Sequence, residues 1–144
     1  MNKNAQFDLL KDAIENKMPA NKLLGIKIIE LTNGFTKIHI PFKSEFIGDY
    51  IQKRWHGGVL ASIADTVGGI AAMTSMDSLN DKVNTIDIRV DFLHGAKPKN
   101  LFAEAKIIKD GKRIIKVDVE IYHQKENIIA VARCAFSILR TPIN

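Results

Sequence analysis

Trp55-His56-Gly57-Gly58-Val59-Leu60-Ala61-Ser62-Ile63-Ala64-Asp65-Thr66 opens the most apolar stretch of the chain, and its reading decides the fold. From Gly57 to about Ser75 the pattern predicts one long helix, apolar nearly all round. Asp65 is the only charge between His56 and Asp77. A run of this length raises the question of a membrane span. A carboxylate near the middle, four glycines and several hydroxyl side chains argue against one, since an ionised group at mid-bilayer is costly. A helix without a polar face must instead be packed on every side by protein.

Outward from this helix, the rest of the chain reads as the material that covers it. Residues 7–17 space Phe7, Leu10, Ala13 and Ile14 for one face of an N-terminal helix, which Pro19 is expected to end. Gly25–Leu31 and Thr36–Pro41 read as strands joined through Asn33-Gly34, a hairpin signal. Beyond the helix, Val83–Leu93 alternates. Ile86, Ile88, Val90 and Phe92 fall on one face, with Asp87, Arg89 and Asp91 on the other. Leu101–Ile108 and Arg113–His123 follow, joined through Asp110-Gly111, and a last strand runs from about Ile128 to Leu139. Short connections make antiparallel neighbours. The expected class is α+β: an antiparallel sheet wrapped around a long central helix, with an N-terminal helix.

Composition sets outer limits. The 144 residues suit one domain spanning 1–144. Cys134 is the only cysteine, which rules out an intrachain disulfide and fits a reducing cytoplasm; within its apolar run it reads as core. The start of the sequence lacks the layout of a signal peptide. His39, His94 and His123 are isolated and show no metal-ligand spacing, so neither a metal nor a cofactor is implied. The net charge of +5 would steer an anionic ligand without specifying one, and no basic helix or aromatic platform suggests nucleic acid.

Chemistry concentrates in the opening segment. Adjacent glycines cost helix stability, so Gly57 and Gly58 imply close backbone approach to something. The first N–H groups of a helix lack internal partners and sit at its positive end, ready to hold an oxyanion. Asp65 is either a working carboxylate or one that caps backbone or pairs with a cation such as Arg89. It lies eight residues beyond Gly57, hence ~12 Å along the axis. A reacting carbonyl needs its oxyanion donor and its base both close to the attacked group. One helix cannot supply both, whereas two antiparallel helices related by a two-fold axis can. This predicts a dimer in which Gly57 of one copy faces Asp65 of the other.

His-Gly-Gly followed by Asp on an Ala-rich helix, together with the strand order and the stretch Asn84–Leu93, resembles the hotdog-fold thioesterase superfamily, in particular its phenylacetate-pathway-like branch. The resemblance implies hydrolysis of an acyl-CoA by a homodimer or dimer of dimers, with Asp65 as general base or nucleophile. It implies Gly57 N–H as the oxyanion donor and Gly58 as the residue allowing close approach. His56 is the motif histidine, either catalytic or bonded to backbone, and Thr85 positions water. One departure stands out: relatives often carry Asn in the loop before the histidine, where this chain has Asp49. That admits a substrate-binding or structural part for Asp49, with Gln52 as a nearby amide. Lys97, Lys99, Lys112 and Arg113 are either solvated or placed to meet phosphates. A hotdog dehydratase or hydratase and a non-catalytic acyl-CoA-binding protein are the competing functions.

Overall fold

The computed structural model describes residues 2–142. Helix α1 (Lys3–Asp12) is capped by Asn2, whose side chain accepts the Ala5 N–H at 2.8 Å. The chain then widens into a single π turn, Ala13–Lys17. Leu10 and Ile14 are buried along it, in keeping with their spacing. The helical run ends at Lys17, with Met18 extended ahead of Pro19, as expected; Pro19 then opens a second short helix, α2 (Pro19–Leu24), which the sequence reading did not include. Pro19 sits at the first helical position, where the missing N–H costs nothing. Gly25 then caps α2 in the left-handed conformation, φ 73°.

Strands β1 (Lys27–Thr32) and β2 (Phe35–Ile40) form the first hairpin. Two short strands, β3 (Ile47–Asp49) and β4 (Arg54–Trp55), pair separately and lead into α3 (Gly57–Met73). Four long strands follow: β5 (Lys82–Phe92), β6 (Leu101–Asp110), β7 (Ile114–Gln124) and β8 (Asn127–Leu139). The main sheet has the order β1-β2-β6-β7-β8-β5, antiparallel throughout. Helix α3 packs against β2, β5, β6, β7 and β8. The sheet wraps its helix as the hydropathy pattern demanded.

Residues of α3 such as Leu60, Ile63, Val67 and Ile70 are buried against sheet residues including Ile38, Leu101, Val117 and Phe136. Each such aliphatic side chain contributes ~1.5–3 kcal/mol by leaving water. Gly68 marks the closest approach. A Cβ there would stand 3.2 Å from both Cys134 Sγ and Phe136 Cζ. Among the described residues, no helix is long and apolar enough to cross a membrane.

Strand β5 departs from the simple alternation. Thr85 pairs with Phe136 and Asp87 with Ala135, leaving Ile86 as an extra residue in a bulge. The bulge resets the period of two. Thr85 therefore turns to α3 along with Ile88 and Val90, while Ile86 is 55% exposed. Phe92, read on the same face as Ile86, is 55% exposed. β5 is an edge of the sheet, with its outer backbone groups unpaired among the described residues.

The end of β8 is tied to the loop between α3 and β5. Arg140 donates to the Ser75 carbonyl and to Asp77, both at 2.9 Å. Asp81 accepts backbone N–H groups from Thr141 at 2.8 Å, Asp77 at 2.9 Å and Ser78 at 3.2 Å. Burial alone would raise the Asp81 pKa, but these donors and Arg140 outweigh it and hold the carboxyl below its ordinary value.

Candidate active site

The loop that delivers α3 is fixed by aromatic packing. Trp55 is buried, stacks on Phe46 with centroids 5.2 Å apart, and donates its indole N–H to the Lys99 carbonyl at 3.1 Å. It packs the loop. The next residue, His56, is the N-cap of α3. Its backbone N–H reaches the Phe46 carbonyl at 2.7 Å, and its Nδ1 accepts the Gly58 N–H at 2.8 Å. In the neutral ring the proton then sits on Nε2.

That cap consumes one of the N–H groups at the helix start and leaves another. Val59 and Leu60 donate to the His56 carbonyl. Among the described residues, Gly57 N–H has no acceptor. Gly57 lines a cleft of about 350 Å³ with Trp55, Phe92, Leu93, His94 and Gly95. Gly58 has a further reason to be glycine. A Cβ there would lie 2.8 Å from His56 Cε1, so the capping ring occupies the space a side chain would need.

Asp65 lies two turns further on, in a different cleft of about 180 Å³ lined by Met18, Gly69, Ile70, Met73, Val83 and Thr85. Its Oδ1 accepts the Thr85 hydroxyl at 2.8 Å. Among the described residues it joins no ion pair: Arg89 pairs with Asp91 at 3.3 Å instead. The bulge at Ile86 is what lets Thr85 reach this carboxylate. Gly57 and Asp65 of one chain thus stand ~12 Å apart along α3 and line separate clefts.

Asp49 is engaged within its own loop. One carboxylate oxygen accepts the N–H groups of Ile51 and Gln52, each at 3.0 Å, in a turn completed by Lys53 at φ 59°. The turn leaves Tyr50 and Ile51 more than 70% exposed, at 77% and 75%. Lys97 and Lys99 border a cavity of about 730 Å³ with His94 and His123, next to the Gly57 cleft through His94 and Gly95. His123 holds the Lys97–Asn100 turn: Nε2 accepts the Lys97 N–H at 2.9 Å, and Nδ1 donates to the Asn100 carbonyl at 2.8 Å. Lys112 and Arg113 sit at the β6–β7 turn, a full strand away.

Cys134 is fully buried, and its thiol is pushed up to about 12, first by burial and then by the charges of Asp65, Asp118 and Asp87. Such a thiol is core rather than nucleophile. Among the described residues, no three His, Cys, Asp or Glu side chains converge as a metal site. Met18, Met73 and Val83, which wall the Asp65 cleft, carry no motif and were not read as site residues; only their apolar character hinted at burial.

A family model described as the thioesterase superfamily matches residues 52–130, a span that includes α3, β5, β6 and β7. The chain belongs to the thioesterase superfamily. Among relatives, SSO2140 of Saccharolobus solfataricus, a protein that carries a provisional esterase name, is 32% identical, over 85% of this chain and 84% of its own. The medium/long-chain acyl-CoA thioesterase YigI of Escherichia coli is 25% identical, covering 84% of this chain and 86% of YigI. A Shewanella oneidensis protein related to the thioesterase superfamily superposes with a TM-score of 0.85 at 25% identity, covering 94% and 96% of the two chains. Membership in the superfamily makes the protein a thioester hydrolase on the hotdog fold, and the α+β architecture follows the same plan.

Proposed function

We propose that the protein hydrolyses acyl-CoA thioesters at two equivalent sites, each shared between two protomers of a homodimer, with residues 1–144 acting as one hotdog domain. The observation that carries this reading is the separation of two complementary groups on one helix. Among the described residues, Gly57 N–H has no acceptor and Asp65 no cation, and the two residues line different clefts. A second α3, antiparallel to the first, supplies what each cleft is missing. The outer edge of β5, unpaired among the described residues and with Ile86 and Phe92 exposed, supports such a neighbour, because an edge strand left bare invites association.

In this site the thioester carbonyl lies against Gly57 of the partner subunit, whose N–H stabilises the developing oxyanion. Asp65 takes the proton of an attacking water, the new C–O bond forms, and collapse of the tetrahedral intermediate expels the CoA thiolate, which recovers the proton. Direct attack by the carboxylate, giving an anhydride that water then opens, is the alternative use of the same group. Thr85 holds Oδ1 and leaves the second oxygen free. His56 acts through the cap, keeping the helix start open. Asp49 acts by shaping its loop, with Gln52 beside it. The name of the Escherichia coli relative supports CoA as the carrier, and Lys97 and Lys99 are placed to meet its phosphates. The single, buried cysteine suits action in the cytoplasm.

The test is release of free thiol from acyl-CoAs of graded length by wild type and Asp65→Asn, with mass measured in solution. Turnover by wild type, its loss in Asp65→Asn and an unchanged dimer support the reading. Equal turnover by both proteins would sink it.

A further inference from the structure

The cleft at Asp65 does not end there. It shares Met18, Met73 and Val83 with a second groove of about 530 Å³. That groove is lined by Leu9, Leu10 and Ala13 of α1 and the π turn, and by Met76 and Leu79 beyond α3. Its lining is mostly apolar, with Lys17, Asp81, Lys82 and Asn84 as the polar members. Met18, Met73 and Met76 all line this one groove. Methionine is unbranched and polarizable, and it suits a surface that must fit a flexible apolar guest. The π turn at Ala13–Lys17 forms part of the same wall, and single π turns recur where a helix has been reshaped for function.

Length gives the guest. From Asp65 to Met73 the helix advances ~12 Å. An extended chain advances ~3.3–3.6 Å for every three bonds, so this span holds about ten bonds. We propose that this groove is the acyl-chain channel of the site, a ruler for unbranched acyl groups of about eight to twelve carbons. It rests on the acyl-CoA reading given above. The carbonyl lies at Asp65, and the chain runs between Met18 and Met73. The N-terminal helices are then specificity elements as well as a cover for the sheet.

Two measurements test it. The first compares kcat/KM for decanoyl-CoA and butyryl-CoA in wild type, in Met73→Trp, which fills the groove, and in Leu23→Trp, an exposed position outside it. The decanoyl-to-butyryl ratio falls at least about tenfold in Met73→Trp and is unchanged in Leu23→Trp. Val83→Phe fills the groove from the strand side should Met73→Trp fail to fold. The second titrates decanoate and acetate into protein carrying 13C-methyl methionine. Decanoate shifts the Met18, Met73 and Met76 signals saturably, and acetate does not. An unmoved ratio in a folded groove-filling variant, or methionine signals indifferent to decanoate, overturns the channel. Methionine shifts without turnover of any acyl-CoA uphold the groove and overturn the hydrolase reading instead.

Discussion

Replacing Thr85 by Val removes one hydroxyl from the site and little else. Valine keeps the β-branched shape that a strand favours, so β5 and its bulge persist. What is lost is the 2.8 Å hydrogen bond to Asp65 Oδ1. Hydrogen bonds to charged groups contribute ~1.5–3 kcal/mol, and an exposed donor such as Thr85 sits at the low end. A loss of about 1.4 kcal/mol in orienting the carboxylate is about tenfold in rate. The assay is thiol release under saturating and limiting decanoyl-CoA. Thr85→Val lowers kcat about tenfold and leaves KM within about twofold, because the hydroxyl acts on the carboxylate rather than on bound substrate. Thr85→Ser restores the donor and most of the rate. Wild-type kcat in Thr85→Val refutes the reasoning. A Thr85→Ser variant as slow as Thr85→Val would show that the methyl, not the hydroxyl, matters.

Three further predictions concern stability and reactivity. Native protein leaves Cys134 unmodified by a disulfide reagent at neutral pH, with one thiol appearing on denaturation, because the thiol is buried and burial pushes its pKa up to about 12; rapid native labelling would contradict this. Gly68→Ala places a methyl 3.2 Å from Cys134 and Phe136, and overpacking of ~1–3 kcal/mol outweighs ~1 kcal/mol of helix propensity, so Tm falls by about 3 °C. Gly69→Ala, whose methyl meets Phe136 at an ordinary 3.6 Å, raises Tm instead, and the opposite signs are read by calorimetry. Asp81→Asn removes the charge on which three N–H groups converge and costs about 2 kcal/mol in urea denaturation at neutral pH. The folded pKa of Asp81 is lowered, so its stabilisation is complete above the unfolded value and is lost as pH falls through the folded one; the variant loses that acid slope.

The parts of the molecule that were legible in sequence are those where one signal acts alone. Helix α3 was read within two residues because no polar face, cap or proline competes with its hydropathy. The hairpin at Asn33-Gly34 follows from turn chemistry, with Gly34 at φ 83°, whereas the expected hairpin at Asp110-Gly111 forms through the longer loop 111–113 without a positive-φ glycine. The misreadings arose where two rules meet. Pro19 signals both a stop and a start, and the six-residue α2 is too short to show a period. The bulge at Ile86 is invisible because an unbroken apolar–polar alternation runs straight through it, yet it turns Thr85 inward and Ile86 out. Asp65 and Gly57 stood out in sequence as an unpaired charge and an unsatisfied helix start. The Asp49 turn, in contrast, depends on backbone N–H groups that no side-chain pattern records.

The central claim is that each site draws Gly57 and Asp65 from different chains, and mixed dimers test it most directly. Gly57→Pro deletes the N–H at the first helical position, where proline is welcome, and the extended backbone of His56 (φ −65°, ψ 129°) suits a following proline. A Cβ at Gly57 meets only Phe92, at 3.6 Å. Gly57→Pro and Asp65→Asn homodimers are each inactive on decanoyl-CoA. Unfolded and refolded together in equal amounts, they form about half heterodimers, each with one intact site of two, and thiol release recovers to about one quarter of wild type. Heterodimers that form yet recover no activity would contradict the account, since they would place both groups in one chain's site or outside the reaction.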